Sequence, residues 1–282
     1  MDWMEALNQS IEFMESHLLE NITSEDVAES VNMSNFYYQK GFKILTGYTV
    51  GEYIRNRRLT LAGVELMQNQ EKVIDVAYKY GYETPESFTK AFARFHGITP
   101  SQVKSLSYKL QSFGRLIIKI SVEGGNVMDY RVEEKESFKV VGLATECECG
   151  NGYDKLPKFW TEFCKKYCSL EKPPIYGMFG VCDDRNTERD KFKYLIADTY
   201  NGGEVPEGFE VMEIPAFTWA IFRCVGPMPG ALQVVNTRIF SEWLPNNQKY
   251  EIATGLNIEM YTKGDIHALD YVSEIWIPVK EK

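Results

Sequence analysis

The sequence predicts two domains: an all-α double helix-turn-helix domain, then an α+β domain of two pseudo-symmetric strand-helix-strand-strand repeats. Three observations predict it. A chain of 282 residues is longer than one core usually organises. A segment near residue 38 repeats near residue 88. From Met128 the texture changes to short apolar runs with the strand period of two. The expected boundaries are 1–108 for the first domain, 109–127 for a linker and 128–282 for the second domain.

Composition bounds both domains. Apolar residues make up 44% and charged residues 25%, as in soluble globular chains. Aromatic residues reach 13%, enough to leave ring surface over for a ligand. No run of about 18 apolar residues occurs, so no membrane span is expected. The acidic start, Met1 to Glu5, lacks the basic flank of a signal peptide, and a cytoplasmic location is expected. Six cysteines (Cys147, Cys149, Cys164, Cys168, Cys182 and Cys224) fall in the second half without a C-x-x-C. Free thiols in a reducing compartment are the expectation. A metal site drawing on Cys147, Cys149, Cys164 and Cys168 is the alternative. No cofactor is expected.

The net charge of −9 speaks against a nucleic-acid partner only if it is read globally. Residues 1–33 hold eight acidic and no basic side chains, residues 34–110 carry a net +5, and residues 111–282 a net −6. A basic stretch lies between acidic neighbours.

Tyr38 to Thr49 matches Phe88 to Thr99 at an offset of 50, with Lys, Phe, Gly and Thr recurring in register; Val27-Ala28 recurs as Val76-Ala77. Each unit reads as a short helix, a turn and a longer helix. Thr23 to Asp26 has a capping hydroxyl and first-turn acids. Asn32-Met33-Ser34 makes the turn, Ser34 caps the next helix, and Gly47 closes it. In the second unit Gly81 makes the turn, Thr84-Pro85-Glu86 starts the helix and Gly97 ends it. Between the units, Thr49 to Gln68 has apolar residues at helical spacing, interleaved with Arg55, Arg57 and Arg58. Those three arginines suit phosphate contacts or structural roles. A helix of that length spans roughly 28 Å, against about 34 Å between successive major-groove faces.

Two helix-turn-helix units on such a connector resemble the AraC/XylS family of regulators. The likeness rests on "SNFYYQKGFKILTGYTVGEYIRNRRLTLAGVELM" and "VIDVAYKYGYETPESFTKAFARFHGITPSQVK", with Gly97 to Gln102 the most diagnostic stretch. Gly41, inside the first recognition helix, departs from the family pattern and costs about 1 kcal/mol of helix propensity. The resemblance implies base reading by Phe36, Gln39 and Lys40 in the first unit, and by Pro85, Glu86, Ser87 and Lys90 in the second. Gln pairs with adenine, Lys with guanine, and an apolar ring with a thymine methyl. The alternative is that these are solvated helix faces.

Phe113 to Val122 reads as a strand and Glu123 to Asn126 as a turn. Strands are then expected over 130–133, 138–143, 175–182 and 192–199, with a helix over 156–167. A second round follows: strands over 217–224, 255–261 and 271–279, with a helix over 230–244. Trp160-Thr161-Glu162-Phe163 answers Phe240-Ser241-Glu242-Trp243, which suggests a duplication with a cleft between the halves. Residues 128–280 resemble the GyrI-like effector-binding domain, as found at the end of Rob-type regulators. The likeness rests on "MDYRVEEKESFKVVGLA", "PPIYGMFGV", "VMEIPAFTWAIFRCVGPM", "LNIEMYTKGD" and "SEIWIPV".

Alternation selects the cleft face. Ile275 and Ile277 suit a helix-covered face, so Glu274 and Trp276 look the other way. Leu256, Ile258 and Met260 are expected against the helices, with Asn257, Glu259 and Tyr261 in the cleft. Two carboxylates beside rings favour an organic cation with an apolar body, and the resemblance points to the same two acids. Tyr176 and Trp219 are further pocket candidates. The expected function is a non-enzymatic, ligand-responsive activator. Its partners are double-stranded DNA, RNA polymerase and a small effector. Two alternatives stand beside it: a GyrI-like hydrolase in which Glu274 activates water, and a drug-sequestering protein.

Overall fold

The computed structural model describes residues 3–68, 71–103, 110–118, 128–148, 152–168, 170–185, 187 and 190–282. They form two compact units. One holds Trp3–Met33 and Thr46–Ser121; the other holds Ser34–Leu45 and Val122–Lys282.

The first unit is helical. Helix α1 (Trp3–Ser16) lies in the acidic segment ahead of the repeat and buries Trp3, Leu7, Ile11 and Met14. Helix α2 (Ser24–Ser30) starts as expected, in a capping box: Thr23 Oγ1 accepts from the Asp26 amide at 3.2 Å, and the Asp26 carboxylate accepts from the Thr23 amide at 2.7 Å. Helix α3 (Asn35–Thr46) groups with the other unit up to Leu45. The connector is helix α4 (Val50–Gln68). After α5 (Val73–Lys79), helix α6 (Pro85–His96) opens on Thr84 with Pro85 first, and closes on Gly97 in the left-handed region. A short helix, α7 (Pro100–Val103), follows. Leu59, Ala62, Leu66, Val76, Ala77, Tyr80, Phe88 and Phe92 form one core.

Arg57 and Arg58 on α4 are structural. Arg57 donates to Glu15 at 2.8 Å and to the Phe113 carbonyl at 2.7 Å. Arg58 donates to the Leu18 carbonyl. Arg55 is exposed. Residues 113–118 form no strand, contrary to the expectation; 119–122 lie outside the described residues. Their alternating apolar pattern is used differently. Phe113 packs between the Tyr48 and Tyr53 rings, and its amide donates to Thr60 Oγ1 at 2.9 Å, so side chains of α4 take the place of a neighbouring strand.

The second unit is built on a nine-stranded antiparallel sheet. Its strands are β1 (Tyr130–Lys135), β2 (Phe138–Glu148), β3 (Phe179–Asp183), β4 (Lys191–Thr199), β5 (Glu210–Ile214), β6 (Phe217–Val225), β7 (Tyr250–Ile252), β8 (Leu256–Tyr261) and β9 (Val272–Glu281). The order is β1-β6-β9-β8-β3-β4-β2-β5, with β7 pairing the end of β9. Helix α8 (Gly152–Phe163) continues as a π-helix over Cys164–Cys168, and α9 (Gly230–Arg238) continues as one over Ile239–Trp243 into α10 (Leu244–Asn246). β3 begins at Phe179 rather than at 175, because the chain first turns at Gly177, whose φ of 75° suits glycine. Trp160 and Phe163 crowd the place a side chain there would occupy.

Candidate functional site

On α6, Phe88, Phe92 and His96 are buried, while Glu86, Ser87 and Lys90 are exposed and Pro85 is half-buried. The exposed face continues to Arg94, one turn beyond Lys90. The i, i+4 spacing of Glu86, Lys90 and Arg94 was the available signal for this additional polar position. On α3 the corresponding residues are covered. Phe36 and Gln39 are each 9% exposed and Lys40 is half-buried. Phe36 lies 5.2 Å from the Phe192 ring of β4, and the Lys40 ammonium reaches the Asn257 side-chain oxygen at 3.4 Å.

Register divides the expected ligand residues between two sheet faces. Ile258 pairs with Trp276, and Glu259 pairs with Ile275. Side chains of directly paired residues share a face. Leu256, Ile258 and Met260 therefore lie with Glu274 and Trp276, while Asn257, Glu259 and Tyr261 lie with Ile275 and Ile277. This reverses the expected orientation of β8. β8 is buried or half-buried along its whole length, so both of its faces meet packed side chains and alternation does not tell which is the helix side.

The helix-covered face carries a polar network. Tyr261 donates to Glu259 Oε2 at 2.7 Å, and Trp160 of α8 donates to the Tyr194 hydroxyl at 2.7 Å. The Trp160 and Tyr261 rings meet edge to face at 5.2 Å. Gly180 leaves room for the Tyr194 phenol, which a β-carbon there would overlap. Burial, and then the charge of Glu259, push the Tyr194 and Tyr261 phenols well above their ordinary range. Both stay protonated and can donate. Asn257 is fully buried and donates to the Trp276 carbonyl at 3.2 Å.

The opposite face holds the aromatic cluster. Trp276 lies 6.0 Å from Trp219 and 6.1 Å from Phe179; Phe217 lies 5.7 Å from Trp219. Glu274 accepts from the Trp276 indole at 2.7 Å and from Arg131 of β1 at 2.8 and 3.3 Å. The Lys135 ammonium stands 4.8 Å from the centre of the Trp276 ring, and Glu133 pairs with both Lys135 and Arg131. The fully buried Trp219 has an indole N–H with no hydrogen-bond partner among the described residues. Tyr176 stands apart in the loop before β3, 67% exposed, with Lys263 over its ring. Arg131 and Lys135 are the residues that the sequence reading missed. Their signal was the alternation Arg131-Glu133-Lys135, which places all three on one face of β1.

Among the described residues no group of three or more His, Cys, Asp or Glu side chains is placed to hold a metal. Cys147, Cys182 and Cys224 are buried thiols, Cys164 and Cys168 are exposed thiols, and Cys149 lies outside the described residues. No helix among these residues is long and apolar enough to cross a membrane.

Residues 131–279 match the family described as integron-associated effector binding protein, and residues 27–105 match a helix-turn-helix domain. The transcriptional regulator Rob of Salmonella typhimurium is 31% identical over 218 residues, covering 74% of this chain and 73% of Rob. The chain belongs to the AraC-type regulators that carry a GyrI-like effector-binding domain. This Rob-like chain is also similar to YbfP of Bacillus subtilis, an uncharacterised regulator of the helix-turn-helix type. The two are 31% identical over 112 residues, which is 40% of this chain but only 38% of YbfP. Among solved structures, that of SAV2435 bound to tetraphenylphosphonium is 22% identical. It covers 54% of the Rob-like chain and 94% of its own, with a TM-score of 0.46.

Proposed function

We propose that the chain is a sequence-specific transcription activator. Residues 1–108 bind double-stranded DNA, 109–127 link the domains, and 128–282 sense a small molecule. The activator would act in the cytoplasm and engage RNA polymerase. The observation that carries the reading is α6, whose apolar side is buried while Glu86, Ser87 and Lys90 are exposed at the positions that the AraC-type resemblance implies for base reading. The strand order of the second unit supports two strand-helix-strand-strand repeats. β2, β4 and β3 on one side of the central β3-β8 pair mirror β6, β9 and β8 on the other.

For the effector we favour the face of Glu274, Trp276 and Trp219, where an aromatic floor adjoins a carboxylate. Asn257, Glu259 and Tyr261 on the opposite face then serve to hold the sheet to its helices, and Tyr176 lies outside the site. The hydrolase reading loses ground here. The Glu274 oxygens that would have to hold a water already accept from the Arg131 guanidinium and the Trp276 indole.

The test is binding of the full chain to duplexes selected from genomic DNA. Affinity should fall steeply with salt as counterions are released. Lys90→Ala should relax preference at one base position by about 1–3 kcal/mol. If no duplex is retarded at low salt, the reading fails. If Lys90→Ala weakens all sequences equally, Lys90 contacts phosphate instead.

A further inference from the structure

Helix α3 bears the first set of residues to which base reading is assigned, and in this structure the effector domain holds two of them, Phe36 and Lys40. The contacts are specific. Asp184, just after β3, accepts from Ser34 Oγ at 2.8 Å and from the Phe36 amide at 3.1 Å, so its carboxylate closes the N-terminus of α3. Asn35 donates to Asp190 at 2.9 Å. Tyr37 donates through its hydroxyl to the Leu256 carbonyl at 2.7 Å, and Lys40 donates to the Asn257 amide oxygen at 3.4 Å. Phe36 packs on Phe192, and Tyr37 lies 6.5 Å from Phe240.

These partners are chemically those of a duplex. A carboxylate at a helix N-terminus stands where a DNA phosphate oxygen would, since exposed amides and the helix dipole favour an anion there. An amide oxygen before a lysine stands in for a base-edge acceptor such as guanine O6. Phe192 offers Phe36 the apolar contact that a thymine methyl would.

We propose that the effector domain is an internal mimic of DNA for α3, so that this domain and the duplex compete for the same helix face. The inference rests on reading α3 as a base-reading helix. Phe36, packed on Phe192, is 9% exposed and cannot touch a base edge until it leaves this surface. The grip is built to be released. Asp184 is half-buried beside the Asp183 charge, and the two donors from α3 only partly offset the cost; burial leaves its carboxyl raised above the usual range. A ligand that favours the released arrangement of the effector domain would then favour DNA binding, because it shifts the equilibrium by its differential affinity.

The test uses the full chain and a duplex selected on the wild type. Asp184→Asn with Asp190→Asn keeps the shape but removes both charges. This variant should bind the duplex about tenfold more tightly without any effector, within the usual range of coupling between sites. Amide exchange across residues 35–46 should speed up in its DNA-free form. Tyr37→Phe, which removes the hydroxyl and with it the bond to the Leu256 carbonyl, is the milder second variant and should act in the same direction. Unchanged or weaker DNA binding by a folded variant whose α3 exchanges faster overturns the proposal. It would mean that the effector domain buttresses the helix rather than withholding it. If the double variant does not fold, Tyr37→Phe decides by the same criterion. A wild-type chain that binds no duplex at all is a different result and removes the DNA-binding reading itself.

Discussion

Glu274 is a carboxylate with two partners of its own, the Arg131 guanidinium and the Trp276 indole. An organic cation that bound the proposed effector face would therefore have to replace Arg131 at the carboxylate and Lys135 over the ring. The Arg131 side chain is 47% exposed and can swing into water, whereas Glu274 is 11% exposed and stays. A lipophilic aromatic cation tests this against a neutral compound of the same shape. Glu274→Gln should weaken the cation by about 1–3 kcal/mol, the range for hydrogen bonds to charged groups, and change the neutral compound little. Arg131→Ala should tighten the cation, because it removes the competitor. Equal losses for both compounds in Glu274→Gln would show that the side chain shapes the face without selecting charge.

Helices α1 and α4 are clasped by one carboxylate. Glu15 accepts from Arg57 and from the Tyr53 hydroxyl. Burial alone would raise its pKa, but the bonds from Arg57 and Tyr53 and the nearby charges outweigh it and hold the carboxyl below its ordinary 4.5. A carboxyl depressed in the folded state adds stability that is fully present above its unfolded value and is lost as pH falls through its folded value. The clasp should therefore weaken below about pH 4.5. Glu15→Gln should cost roughly 2 kcal/mol at pH 7, and the gap to wild type should narrow as pH drops to about 3. Urea titrations at both pH values, followed by exchange protection of α4, measure it; a gap independent of pH would rule the clasp out. This element was only half legible in the sequence. Helix-turn-helix spacing, the Thr23 and Thr84 caps and the glycine stops could be read because local chemistry sets them. The mate of Arg57 could not, because it lies 42 residues away with no pattern to mark it. β5 and β7 escaped for another reason: both are short edge pieces of mixed polarity. On β9 the facing of Glu274 and Trp276 was readable from Ile275 and Ile277. On β8 it was not, because both of its faces are covered and the choice depends on pairing with β9.

Across the whole molecule, the two proposed binding activities must be linked by one free energy if the effector domain governs DNA binding. A ligand that binds the α3-holding and α3-released states equally shifts nothing, however tightly it binds. One that prefers the released state raises DNA affinity by a factor set by that preference, typically about 5- to 150-fold. Thermodynamic reciprocity then requires that saturating DNA raise the ligand's affinity by the same factor. The prediction is that a lipophilic aromatic cation that binds the full chain, titrated with and without a selected duplex, shows an affinity ratio equal to the ratio of duplex affinities measured with and without the cation. The Asp184→Asn, Asp190→Asn variant should bring both ratios towards one, because its α3 is already released and little preference remains for the ligand to express. A ratio of one in the wild type would mean that this cation binds without regulating. Two unequal ratios would mean that a second ligand site, or a change in association state, lies between the measurements. Equal ratios in the wild type that persist unchanged in the variant would place the coupling somewhere other than the grip of Asp184 and Asp190 on α3.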